Sequence, residues 1–190
     1  SLCFVSAVLT AFEYWAGTEL SLQHVMDCSR KHASPCRDGG DVKDVFQWAL
    51  ANGVPLESHN WRRLFADGRC QPNALSPVFF QLESFEHAFN AKTAEIEQHL
   101  WKYGPVVTHI MLRRDAKAQY GELDAASCSG KHVVAHSVAI VGYDNEFFIL
   151  KNTWGTEWGI RGYAKIRKNT RPCKFAKQIW FVTLASLRSL

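Results

Sequence analysis

The chain changes texture near Val106, and that change constrains its fold more than any other feature. From Cys3 to Tyr103 the recognisable segments carry helical spacing, as in CFVSAVLTAFEYW and DVKDVFQWALA. From Val106 onward the runs are β-rich and separated by turns: VVTHIML, HSVAIVGY, EFFILKN and YAKIRK. Helices first and strands afterwards predict an α+β protein of two lobes. The expected boundary lies near residue 87, giving a helical lobe over 1–86 and a β-rich lobe over 87–190.

Finer expectations follow the same periodicities. Cys3 to Ala16 is apolar almost throughout, which suits a helix buried on most sides and closed by Gly17. Residues 20–27, LSLQHVMD, read as a short helix with Ser21 as N-cap. The stretch 28–40 reads as an irregular loop rich in turn residues. A helix over Asp41–Ala51 ends at Asn52-Gly53. Residues 54–90 show little periodicity and read as surface loop, whereas Ala94–Tyr103 reads as an amphipathic helix closed by Gly104-Pro105.

Composition narrows the function classes. Hydrophobic residues make up 47% of the 190, enough for a sizeable core in one domain or two small lobes. The net charge of +4 comes from scattered residues rather than a long basic run, which argues against nucleic acid as a partner. No apolar run reaches the roughly 18–20 residues of a membrane span. The chain does not begin with Met, and the expectation is that it starts inside a longer product. Six cysteines without a CxxC pair suit an oxidising compartment better than a zinc ribbon.

Three separated segments together suggest a chemical site. Asn152 stands in KNTWGTEWG, sixteen residues after His136 in AHSVAIVGYD, and Cys3 opens the first apolar helix. A thiol, an imidazole and an amide that orients the ring form a nucleophilic constellation. Each residue also has an ordinary reading. Cys3 suits a buried structural thiol, His136 a core histidine, Asn152 a turn, and Trp154 and Trp158 plain core. His109 and His132 are rival imidazoles, but neither is followed by a VGY strand and KNTWG.

The segments resemble the papain-like cysteine proteases, in family order and over essentially the whole chain. CFVSAVLTAFE is similar to the active-site helix, LSLQHVMDCS to LSEQxLVDCS, and CRDGG to CNGG. WKYGPVV, AHSVAIVGY, KNTWGTEWG and GYAKI are similar to the GPV, NHAVxxVGY, KNSWGxxWG and GYxxI segments. His136 and Asn152 follow Cys3 by 133 and 149 residues, against about 130–150 in the family. The resemblance implies a papain-like fold: a helical lobe, an antiparallel barrel-like lobe and an active-site cleft between them. It implies a peptidase working through a thioester on Cys3. His136 would act as acid and base, Asn152 would orient it, Trp154 would cover that contact and Trp158 would pack behind.

The resemblance also implies disulfides Cys28–Cys70 and Cys128–Cys173, with Cys36 left over. It places Asp41 and Val42 at one wall of the substrate's main apolar pocket, after Gly39 and Gly40, which would let a substrate backbone lie close in strand-like pairing. Val134 and Ala135 would form the floor, with His109 opposite and Gln178 deep inside. No cofactor and no metal are implied. The implied partners are a peptide or protein substrate, a propeptide and a cystatin-like inhibitor, for a monomer that is lysosomal, endosomal or extracellular.

Departures from the pattern keep a second reading alive. The family's oxyanion glutamine would lie six residues before Cys3, ahead of Ser1, as would the partner of Cys36. Losing one oxyanion donor typically costs 10²–10³ in rate. Leu2 and Phe4 flank the nucleophile, Ala135 stands where an Asn is common, and His59-Asn60-Trp61 replaces a YPY element. The alternatives are a weak or inactive paralogue that binds or regulates, and a structural zinc protein.

Overall fold

A computed structural model describes residues 3–29, 39–57, 68–71, 77–116 and 121–189. Expectations placed on Leu2, Cys36, His59-Asn60-Trp61 and most of the 28–40 loop lie outside these residues. The chain divides into two compact units, Ser1–Glu86 with Val182–Leu190, and His87–Phe181. Helices and strands are mixed in an α+β arrangement, and among the described residues no helix is long and apolar enough to cross a membrane.

In the first unit, helix α1 spans Cys3–Ala16 and buries side chains around most of its circumference. Phe12 anchors it, stacking on Phe80 at 4.8 Å and meeting the edge of Phe46 at 5.3 Å. Helix α2 spans Leu22–Cys28, and the Ser21 hydroxyl accepts from the His24 N–H at its start. Helix α3 spans Val42–Ala51 and is capped by Asp41, whose carboxylate accepts from the Lys43 N–H at 2.8 Å. The buried Asp27 carboxylate accepts from Gln23 Nε2 and from the Gly68 N–H at 2.8 Å. A Cβ at Gly68 would stand 2.3 Å from Asp27 Oδ2, so only glycine permits that approach. The Cys28–Cys70 disulfide ties the end of α2 to this same stretch.

Residues 54–90 are not surface loop throughout. Strand β1 (Val54–Pro55) pairs antiparallel with β2 (Val78–Phe89), with Phe80 and Leu82 fully buried. Gln81 and Glu83 alternate with those two, but the Phe79-Phe80 doublet and the polar Ser84 on the same face as Leu82 blur the period of two. The chain's final strand, Gln178–Ser189, is long and also lay outside the β-rich runs marked in the sequence. Its second half, Val182–Leu190, groups with the first unit. The physical reason is local: Thr183 bonds Ser84 at 2.7 Å, and Ser186 and Arg188 both donate to Glu83.

The second unit is built on α4 (Thr93–Tyr103) and strands β3 (Val106–Arg113), β4 (Glu122–Leu123), β5 (Val133–Tyr143), β6 (Phe147–Lys151), β7 (Tyr163–Arg167) and the start of β8 (Gln178–Ser189). The sheet order is β8-β3-β5-β6-β7-β4. All pairs described are antiparallel except β4 with β7. Ile96, Ile110, Leu112, Val138, Phe148, Ile166 and Ile179 fill its core. Cys128 and Cys173 form a disulfide beside Asp124.

Two buried ionisable groups make this unit testable. The Lys168 ammonium bonds Glu97 and the Asp144 carbonyl, and lies over the rings of Tyr143 and Phe148 at 4.7 and 5.3 Å. Lys168→Met should leave Glu97 without its partner and lower the unfolding free energy by about 3 kcal/mol, the low end for a broken buried pair because Glu97 is partly exposed. A denaturant midpoint unchanged by the substitution would contradict this.

Burial against Tyr103 and Phe181 pushes the His99 imidazole down to about 4, and its Nε2 is buried without a partner among the described residues. The unfolded chain binds this proton near 6.5, so the stabilisation is complete above that pH and is lost as pH falls towards 4. The window is worth about 3 kcal/mol. His99→Phe should flatten the fall of unfolding free energy between pH 6.5 and 4; equal slopes in both proteins would refute the assignment.

Candidate functional site

Strand β5 carries His136 in register opposite Ile110 of β3, and the imidazole is 3% exposed. Asn152 comes immediately after β6, the next strand of the sheet, and its backbone N–H donates to the Gly162 carbonyl at 2.9 Å. The fifteen intervening residues thus include a hairpin that returns Asn152 to the side of His136. His136 Nε2 and Asn152 Oδ1 are 2.7 Å apart in a buried contact. The Thr153 N–H donates to that same Oδ1, also at 2.7 Å.

Two donors on one atom identify it as the amide oxygen. An oxygen that only accepts requires Nε2 to carry the hydrogen, which leaves Nδ1 as the ring nitrogen not engaged by Asn152. The second acceptor site on Oδ1 is filled by backbone, so the amide is held from its own chain as well as by the ring. Asn152 is 6% exposed, and its Nδ2 has no partner among the described residues.

The tryptophans of KNTWGTEWG hold this pair. The Trp154 ring lies 4.6 Å from the His136 ring at 40°, and meets Trp158 edge-on at 5.9 Å and 86°. Trp158 is buried, and its Nε1 donates to the Ala116 carbonyl at 2.6 Å. That bond ties the loop to the end of β3, a support that sequence reading did not foresee because Ala116 carries no distinguishing side chain. Gly155 and Gly162 both lie at positive φ, and a Cβ on Gly162 would meet the Gly155 carbonyl at 3.4 Å. The reversal between Asn152 and Tyr163 therefore depends on glycine.

Other expected residues fall out as follows. Val134 is half-buried and Ala135 exposed, the two residues before His136 on β5. His109 on β3 is half-buried with its ring 4.8 Å from Trp180, and Gln178 opens β8. In the first unit, Cys3 is the first residue of α1, half-buried and in no disulfide. A helix start favours an anion at that position through the dipole. Gly39 has positive φ and open space around it. A Cβ on Gly40 would lie 2.5 Å from the Phe4 ring, so this glycine accommodates the residue beside Cys3. Asp41 caps α3, and Val42 is fully buried.

A cavity of about 240 Å³ in the first unit is lined by His24, Trp48, Phe79, Gln81 and the Cys28–Cys70 bridge. None of the expected catalytic residues lines it. Among the described residues no group of three or more His, Cys, Asp or Glu could hold a metal ion.

Residues 5–183 match the family described as papain family cysteine protease. Relatives include mouse cathepsin R, 29% identical over 204 residues that cover 96% of this chain and 59% of the relative. Rat cathepsin J is 31% identical over 181 residues, covering 86% and 52%. The chain thus spans a little over half the length of these relatives. Its fold is similar to that of a Carica candamarcensis cysteine protease in complex with E-64, with TM-score 0.77 and 24% identity over 95% of this chain and 87% of that one. Bromelain from Ananas comosus in complex with the E64 inhibitor gives TM-score 0.76 at 20% identity, covering 96% and 89%.

Asn152→Ala should remove the acceptor of two N–H groups, at His136 and Thr153, and cost about 1–3 kcal/mol for donors left buried. Thermal unfolding of the variant checks this, and an unchanged melting temperature would mean the pair is not held as described.

Proposed function

The chain belongs to the papain family of cysteine proteases, and from that premise we propose that it hydrolyses peptide bonds through a thioester on Cys3. The Cys3 thiolate attacks the scissile carbonyl while His136, protonated, holds the proton taken from the thiol. Collapse of the tetrahedral adduct breaks the C–N bond, and the His136 proton goes to the leaving amine. Water, deprotonated by the now neutral His136, then attacks the thioester and releases the acid, regenerating thiolate and imidazolium.

The observation that carries this reading is the buried Nε2···Oδ1 contact of His136 with Asn152 beneath Trp154. It selects the tautomer in which Nδ1 faces the reaction and fixes the ring plane, the part an orienting residue plays in a catalytic triad. The half-buried Cys3 at a helix start supplies the thiol in a setting that favours its anion. Substrate is a peptide or protein, with Gly39, Gly40, Val134, Ala135, His109 and Gln178 as contacts, in a lysosomal, endosomal or extracellular setting. Propeptide and cystatin-like partners fit the same reading, since relatives include procathepsins.

The test is alkylation of the full-length protein by a thiol-directed epoxide near pH 6. Labelling should occur at Cys3 and proceed at least about tenfold faster than in a Cys3→Ser control, as activated thiols outpace ordinary ones. Equal rates would sink the proposal. Labelling without turnover of any peptide would instead favour a paralogue that binds substrates and does not cleave them.

A further inference from the structure

The cavity of the first unit lies outside the proposed chemistry, and its walls follow from the pattern of β2. Successive strand residues point to opposite faces. Phe80 and Leu82 are fully buried on one face, where Phe80 stacks on Phe12 of α1. Phe79 and Gln81 therefore share the other face, and both line the cavity of about 240 Å³. The end of α3 contributes Trp48 and Asn52, and α2 contributes His24 and the bridge from Cys28 to Cys70. Gly53, the buried residue after Asn52, makes room for one wall: a Cβ there would stand 2.4 Å from the Phe79 ring.

This lining suits one kind of ligand. Two of its walls are the rings of Trp48 and Phe79, and a third is the disulfide, whose polarisable sulfur makes favourable contacts with rings. None of the described lining side chains is a carboxylate, an ammonium or a guanidinium. Burial holds the His24 imidazole below its ordinary range, against the pull of Asp27. A charged ligand would find no counter-charge here. The remaining polar groups are amide oxygens. Gln81 Nε2 faces the carbonyls of Ala49, Leu50 and Leu82 at 3.4, 3.3 and 2.8 Å. Three acceptors assign that atom as the nitrogen and leave Oε1 without a donor among the described residues. Asn52 Nδ2 donates to the Trp48 carbonyl at 2.9 Å, which leaves its Oδ1 in the same condition. An apolar cavity of about 150 Å³ takes benzene. The larger volume here holds a substituted ring or two fused ones.

We propose that this cavity is a binding site for a small, uncharged, flat aromatic molecule carrying a hydrogen-bond donor, of the phenol or indole class. The ring lies against Trp48, Phe79 and the disulfide, and its O–H or N–H donates to Gln81 Oε1. An aliphatic ring of similar size loses the aromatic contacts, and an aromatic ring without a donor leaves the amide oxygens unpaired. No expected catalytic residue lines the cavity, so its occupancy is independent of the peptidase reading.

Titration of phenol and indole into the full-length protein carrying Cys3→Ser tests this, followed by the NMR shifts of the Trp48 indole and the Ala51 and Gly53 amides. Both probes should bind with Kd of about 1 mM or tighter, with the shifts centred on those residues. Cyclohexanol, which is not flat, and benzoate, which is charged, should bind at least about tenfold more weakly. Gln81→Leu should weaken phenol about threefold to tenfold, the worth of one hydrogen bond, and leave toluene binding no weaker. Ala51→Phe, at an exposed position on the cavity lining, should fill the space and abolish binding of both probes. Circular dichroism like that of the parent shows that the variants are folded. Shifts confined to other residues, cyclohexanol binding as tightly as phenol, or a phenol affinity that Gln81→Leu leaves unchanged would overturn the site.

Discussion

One oxygen atom organises the second unit's chemistry. Asn152 Oδ1 accepts from the His136 ring and from the Thr153 backbone, both at 2.7 Å and away from water. Either bond alone would leave a soft degree of freedom: the ring could rotate, or the amide could flip. Together they fix tautomer, ring plane and amide orientation at once. A hydrogen bond in a low-dielectric setting is electrostatically stronger than in water, and Trp154 supplies that setting.

The surrounding fold can be understood as support for that atom. The β5–β6 hairpin returns Asn152 to His136, and glycines at positive φ turn the chain back after it. Trp158 then fastens the loop to Ala116. The first unit meets a different demand, which is to hold a helix start in a fixed place. Helix α1 is apolar on most sides and wedged by Phe12 between Phe46 and Phe80, so the start of α1 carries Cys3 on a rigid body. Phe4 closes on Gly40 from that same helix, where any side chain on residue 40 would collide.

What could be read from the residues follows from how local the signal is. Ser21 at the start of α2 and the Gly104 that ends α4 act within a few positions of themselves, and a single sequence displays them. KNTWGTEWG was conspicuous because two tryptophans and three neighbouring polar residues make little sense as ordinary core. Strand β2 was invisible because a doublet of phenylalanines breaks its alternation. The return of β8 to the first unit was equally hidden, since Ser186 and Glu83 are more than a hundred residues apart. That Asp41 caps α3 and that Val42 is buried behind it are likewise decided by where α3 starts.

The proposed peptidase chemistry requires the thiol at the start of α1 and the imidazole on β5 to act as a pair, with Asn152 setting the ring. The rate of Cys3 alkylation by a small haloacetamide, followed from pH 4 to 10 in the native protein and in His136→Ala, measures that pairing directly. The account predicts a rate that stays high well below neutral pH and reverts, without the imidazole, to the rise near about 8.5 of an ordinary thiol. An ordinary profile in the native protein, unchanged when His136 is removed, would contradict it.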